Sequence, residues 1–253
     1  MRVLSLSAAE VRIFPDRDAL DRAAAEEFLR AAQEAIHARD RFAVALAGGL
    51  TPQGLYSRLA ANHHPDLAQA PWDKIHVFFG DERNVPPNHV DNNFHRVRET
   101  LLAKVPLPPG NIHRVRAELG ARTAAADYER WLKSFFGLRE SKVPQFDLIL
   151  LGLGADGHTA SLFPESEALK EQSRLVCANW VKPLDSFRIT FTYPVLNAAA
   201  EVMFVVAGEA KAEALGHVLR GDPTGKTYPA QAVHPVSGRL LWMVDEAAAS
   251  RLG

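Results

Sequence analysis

The strand-length apolar runs of this chain do not alternate, and that limits its fold more than any other feature. Phe42–Ala47, Ile75–Phe79, Asp147–Leu151 and Val202–Ala207 are nearly continuous in apolar character. A strand with one face in water alternates apolar and polar side chains, so continuous runs belong to strands buried on both faces. Strand-like Val11–Phe14, Leu175–Ala178, Ile189–Thr192 and Leu240–Val244 join them. Helical spacing marks Ala19–Arg39, Pro52–Ala61, Phe94–Lys104, Ala121–Phe136 and Glu209–Arg220, and an Ala-rich stretch after Val244 reads as a last short helix. Pro52 suits a first helical turn, and Asp91 or Asn92 can cap the helix that follows them. The expected fold is α/β: an open, mostly parallel sheet with helices on both faces, Rossmann-like. No repeat or Gly/Ser linker interrupts it and Val105–Pro109 reads as a loop, so residues 1–253 are expected to form a single domain. In such sheets ligands bind at the carboxyl ends of the strands, which here run into glycine-rich or charged loops.

Several function classes fall away. Lys and Arg total 29 against 30 Asp and Glu, a formal net charge of -1, so the basic footprint of a nucleic-acid binder is missing. The single Cys177 cannot form an internal disulfide, which favours a reducing compartment. The apolar stretch at the N-terminus is too short and broken for a signal peptide, and no segment approaches the ~20 apolar residues of a membrane helix. A cytoplasmic protein without membrane partners is expected. No serine sits in G-x-S-x-G, and neither H-E-x-x-H nor a spaced Cys/His set suggests zinc, so no metal is expected. His63-His64, before Pro65, reads as surface.

Two glycine motifs fail on context. Gly152-Leu-Gly154-Ala-Asp-Gly157 satisfies G-x-G-x-x-G after a strand, but Pro164 interrupts the helix it should open. The next strand ends at Asn179 where a dinucleotide site needs an acid. Gly221-Asp-Pro-Thr-Gly225-Lys226-Thr227 is one residue short of a P-loop, follows a helix, and is followed by Pro229. No cofactor is expected.

Three loops carry chemistry. Gly48-Gly49-Leu50-Thr51-Pro52 joins a buried strand to a helix, where glycines and free N–H groups can approach an anion. Gly80-Asp81-Glu82-Arg83 places charges at a strand's carboxyl end, with an arginine able to hold an oxyanion. Asp156-Gly157-His158-Thr159 sets a carboxylate near an imidazole, the usual general base. Arg188 and Lys211 are further cation candidates.

In this order, Ala47–Pro52, Gly80–Arg83, Asp91–Phe94, Leu150–Pro164, Arg188–Thr190, Gly208–Lys211 and Trp242–Asp245 resemble the 6-phosphogluconolactonases. These belong to a superfamily, of NagB-type fold, with glucosamine-6-phosphate isomerases (deaminases) and sugar-phosphate-sensing domains of transcription regulators. The resemblance spans most of the chain. It implies hydrolysis of 6-phospho-D-glucono-1,5-lactone in the pentose phosphate pathway, with a sugar phosphate as partner. It further implies His158 as base on water, Asp156 as its orienting group, and Arg83 as oxyanion stabiliser. Gly48, Gly49, Thr51 and Lys211 would hold the phosphate, Arg188 would add a second cation there, and Asp81 would contact substrate. Leu50 departs from a common serine, and Asn92 from a usual Ser-Asn. Isomerases of this superfamily carry an aromatic where Arg83 stands and a glutamate where Phe163 stands. Sensors carry a DNA-binding domain for which this chain has no spare segment. A monomer and a small homo-oligomer both stay open.

Overall fold

The structure, a computed structural model, describes residues 1–6, 9–61, 70–139, 142–221 and 227–252. In chain order the regular elements are β1 (Arg2–Leu6), β2 (Ala9–Phe14), α1 (Arg17–Arg39), β3 (Phe42–Leu46), α2 (Gln53–Ala60), β4 (Ile75–Phe79) and β5 (Asp81–Arg83). Next come α3 (Asn93–Val97), α4 (Ala121–Phe135), β6 (Leu148–Leu151), β7 (Val176–Val181) and β8 (Ser186–Phe191). The chain continues through α5 (Tyr193–Asn197), β9 (Glu201–Val206), α6 (Ala212–Arg220) and β10 (Arg239–Asp245).

Seven strands form one sheet in the order β1-β2-β10-β9-β6-β3-β4, parallel from β2 to β4. Every residue of β3, β6 and β9 is buried, as their unbroken apolar sequences require. The two faces separate along β3 and β4. Phe42 meets Phe28 of α1 edge-on at 5.4 Å between ring centres. Phe78, which pairs with Ala45 and so points the other way, meets Phe135 of α4 at 5.0 Å. Helices therefore cover both faces, as expected of this fold class.

Several local features differ from the sequence reading. First, β1 adds an antiparallel edge before β2. Second, β5, β8 and β7 form a separate antiparallel sheet. Only Lys182–Leu184 and Asp185 join β7 to β8, with Asp185 in the left-handed region at φ 44°. A parallel crossover needs about a dozen residues or more, so this link permits only a hairpin. Third, the helix expected over Phe94–Lys104 is regular only to Val97 and then widens into a π turn over Arg98–Leu102, where Ala103 N–H reaches Arg98 C=O. Fourth, the stretch after β10 forms turns. The Asp245 carboxylate accepts the N–H groups of Ala248 and Gly208. The Glu209–Arg220 helix also opens with a tighter turn at Glu209–Lys211.

His63-His64 and residues 222–226 of the P-loop-like motif lie outside the described residues. Gly221, at φ 88°, ends α6.

Candidate active site

The carboxyl ends of β9, β6, β3 and β4, adjacent in the sheet, surround a cleft of about 360 Å³. Gly48, Gly49, Thr51, Asp81, Arg83, His158 and Lys211 line it. A larger cleft of about 670 Å³ opens beside Trp131, between the loop at Pro109–Ile112 and α4, and holds none of the residues chosen from the sequence.

The β3–α2 loop forms one wall. Pro52 occupies the cap position of α2 without a side-chain cap, so the first N–H groups of the helix have no capping side chain. Tyr56 Oη donates to Ala47 C=O at 2.7 Å, and the Arg17 guanidinium donates to Thr51 C=O. Both bonds hold the loop from outside the cleft. Leu50 also lines the cleft and is 71% exposed. Lys211 enters from the β9–α6 turn and forms no ion pair among the described residues.

The opposite wall belongs to the loop after β6. Asp156 Oδ1 lies 2.6 Å from His158 Nδ1 and accepts the His158 backbone N–H at 3.1 Å. Burial raises the Asp156 carboxyl, but the hydrogen bonds and charge of His158 outweigh it and hold the group below its ordinary value. In the neutral tautomer that directs Nδ1–H at Asp156, Nε2 carries the lone pair, and it has no hydrogen-bond partner among the described residues. The His158 ring stacks on Phe163 at 4.1 Å. No helix opens at Gly152–Gly157. Instead, a Cβ at Gly154 would fall 2.1 Å from His158 Nδ1, and Gly157 adopts φ 78° against Tyr228. Those glycines make room for the Asp156–His158 pair and the turn that carries it, which explains the dinucleotide-like spacing without a dinucleotide.

At the end of β4 the three charges part. Glu82 is fully buried and accepts the N–H groups of Arg83, Asn93 and Phe94 at 2.7–3.0 Å. It anchors the start of α3. Burial pushes its carboxyl up to about 7 against those three donors. Asp81 faces the cleft, and Arg83 donates to Asp91 C=O at 2.6 Å. Asn92 caps α3 by accepting the His95 N–H at 3.0 Å, whereas Asp91 pairs with Arg96. Arg188 does not line the cleft. It sits across the β5–β8 ladder from Arg83, and burial followed by the Arg83 charge pushes its guanidinium below the ordinary arginine value.

Among the described residues, no group of three or more His, Cys, Asp or Glu side chains is arranged to hold a metal ion. No described helix is long and apolar enough to cross a membrane.

Residues 15–242 match the family described as glucosamine-6-phosphate isomerases/6-phosphogluconolactonase. The chain belongs to that family. A 6-phosphogluconolactonase of a Nostoc species is 42% identical over 243 residues, covering 96% of this chain and 98% of that one. Among solved structures, the devB protein superposes with a TM-score of 0.86 at 31% identity, covering 96% of this chain and 99% of that chain. The 6-phosphogluconolactonase from Trypanosoma cruzi superposes with a TM-score of 0.85 at 25% identity, covering 100% and 99%.

Two residues that sequence reasoning did not single out, Asn93 and Ser161, support the cleft-lining Asp81. Both are buried, and both hydrogen-bond to Asp81. Their only sequence signal was membership of the stretches Asp91–Phe94 and Leu150–Pro164. Arg17, which braces the phosphate-loop candidate from α1, carried no signal at all.

Proposed function

We propose that this chain hydrolyses 6-phospho-D-glucono-1,5-lactone to 6-phospho-D-gluconate without a metal ion. The observation that carries the proposal is the Asp156–His158 pair: His158 lines the cleft, its Nδ1 is engaged by Asp156, and its Nε2 has no hydrogen-bond partner among the described residues. The names of the family's lactonase members give the substrate class.

His158 takes a proton from water through Nε2 as that water attacks the lactone carbonyl. Asp156 holds the imidazole in the required tautomer and stabilises the imidazolium that forms. Arg83, charged at every working pH, faces the oxyanion of the tetrahedral intermediate. The ring C–O bond then breaks, and the proton on His158 passes to the departing hydroxyl. A lactone is an activated ester, so a positioned water and base suffice.

The N–H groups of Gly48 and Gly49, the Thr51 hydroxyl, the uncapped start of α2 and Lys211 hold the phosphate. Its binding energy orients the distant carbonyl. Arg188 acts behind Arg83, adding positive potential to that side of the cleft. The setting is cytoplasmic, in the oxidative pentose phosphate pathway.

The same superfamily includes amino-sugar isomerases, which place a glutamate at the position of Phe163. Here that side chain is an aromatic ring stacked on the base, and it cannot transfer a proton. The test measures lactone consumption in excess chelator after subtraction of the spontaneous rate. Hydrolysis above the blank supports the reading. A rate equal to the blank, or ammonia released from glucosamine 6-phosphate instead, overturns it.

A further inference from the structure

Among the described residues, Asp81 is a cleft-lining carboxylate held by neutral donors and not by a cation. Its Oδ2 accepts the Ser161 hydroxyl at 2.6 Å, and its Oδ1 accepts Asn93 Nδ2 at 3.1 Å. Asn93 Nδ2 also donates to Asp81 C=O at 3.0 Å, so both amide protons are committed to one residue. Asp81 forms no ion pair among the described residues, although it shares the cleft with Arg83 and Lys211.

The two donors are themselves fixed. Ser161 is 2% exposed, its N–H donates to Thr190 Oγ1 at 3.2 Å, and its C=O accepts from Asn179 Nδ2 at 2.8 Å. Asn93 is fully buried, with its N–H on Glu82 and its Oδ1 against Gly48 without a hydrogen-bond partner. A flexible surface carboxylate would not be gripped by two buried neutral groups from separate parts of the chain.

A carboxylate offers about four lone-pair directions, two on each oxygen. Ser161 and Asn93 each occupy one on different oxygens, and among the described residues no other hydrogen bond reaches either oxygen of this cleft-lining residue. Two acceptors on a rigid carboxylate match two hydroxyls on neighbouring ring carbons. We infer that Asp81, clamped by Ser161 and Asn93, reads a vicinal diol of a polyhydroxylated six-membered ring, with Ser161 and Asn93 as positioning residues for that contact. The inference rests on the proposed lactonase reading for the ring and deepens it by naming what is recognised there.

The test uses a ring that cannot react. 1,5-Anhydro-D-glucitol 6-phosphate keeps hydroxyls on carbons 2, 3 and 4, and its 3-deoxy analogue has no vicinal pair left. Binding of both is measured by calorimetric titration to the full chain and to Ser161→Ala and Asp81→Asn, with thermal melts as the check on folding. Hydrogen bonds to a charged group are worth ~1.5–3 kcal/mol, so the wild-type chain is expected to bind the 3-deoxy ring about tenfold or more weakly. Ser161→Ala should weaken the complete ring several-fold and the 3-deoxy ring less than twofold. Asp81→Asn, which preserves volume, should nearly abolish the preference.

Equal wild-type affinity for the two rings overturns the inference. So does an equal loss for both rings in Ser161→Ala, because that is the signature of a merely structural serine. If Ser161→Ala does not fold, Asp81→Asn decides alone: a preference it retains overturns the inference, and one it loses supports it. Absence of lactone hydrolysis with the ring preference intact would defeat the proposed reaction and leave the diol contact standing.

Discussion

Charged side chains gather at both ends of the central sheet, and the two groups are built in opposite ways. At the amino ends of β9 and β10, Glu10, Glu27 and Glu201 interleave with Arg12, Arg30 and Arg239. Every member pairs with an opposite charge at 2.5–2.8 Å. At the carboxyl ends, Lys211 has no acidic partner among the described residues, Arg83 donates to a backbone carbonyl, Arg83 and Arg188 face each other, and Asp81 is held by neutral donors. Charges that neutralise each other fasten α1 to the sheet. Charges left without counterparts create a field that a ligand can complete. The presence of arginines and carboxylates near a sheet edge does not distinguish the two groups, but their pairing does.

The largest effect that would break this contrast concerns the base. His158→Gln keeps size and polarity but cannot accept the proton as imidazole does. Lactone turnover should fall by roughly 100-fold to 10,000-fold. The melting temperature should change little, since the hydrogen bond of the His158 side chain among the described residues is to Asp156 in its own loop, and the glutamine keeps the backbone bonds of that loop. Turnover close to wild type, after subtraction of the uncatalysed rate, would move the base to Asp156 or Asp81.

Next comes the closed cluster. Glu27 is about 5% exposed and bonds to Arg12, Arg30 and Arg239. Glu27→Ala would leave those guanidiniums without their shared partner, a loss of about 3–5 kcal/mol by denaturant unfolding. Lactone kcat/KM measured well below the melting temperature should be unchanged. A catalytic defect in the folded variant would show that the two ends of the sheet are coupled.

Lys211→Ala tests the open cluster. Affinity for 6-phosphogluconate should drop tenfold or more, as expected for losing a charge-assisted contact of ~1.5–3 kcal/mol, while affinity for gluconate stays the same. Unfolding free energy should not fall, because among the described residues Lys211 is not bound to another side chain in the way Glu27 is. An equal loss for both ligands would assign Lys211 to the fold.

The smallest effect is a pair of opposed pH slopes. Burial raises the Glu27 carboxyl, but hydrogen bonds from its arginines outweigh it and bring it below the ordinary 4.5. Its stabilisation is present above 4.5 and is lost as pH falls through the lowered value, so the advantage of wild type over Glu27→Gln should shrink in acid. Glu82 runs the other way, with burial lifting its carboxyl from 4.5 to about 7. Its contribution is present below 4.5 and lost as pH rises through about 7, so Glu82→Gln should gain on wild type across that interval. Chemical denaturation at stepped pH measures both, and parallel slopes would contradict the assignment of Glu82 as a buried anchor.

The sequence by itself determined the parallel sheet, since runs such as Phe-Ala-Val-Ala-Leu in β3 can be satisfied only by burial on both faces. It also marked the three loops of the cleft, because glycines at strand ends and an acid two residues from a histidine are local patterns. Tertiary structure decided which charges act. Glu82 and Asp81 are neighbours in sequence, yet alternation along β5 buries one under α3 and turns the other toward the cleft. Arg188 and Arg239 look alike as residues, but one faces another arginine and the other lies among glutamates. Ser161 reaches Asp81 across 80 positions of chain, and Asn93 reaches it from the start of α3. Local sequence sets backbone conformation and burial pattern, because those depend on near neighbours. A hydrogen bond or an uncompensated charge depends on which distant residue the fold brings within about 3 Å, and no short window of sequence contains that distance.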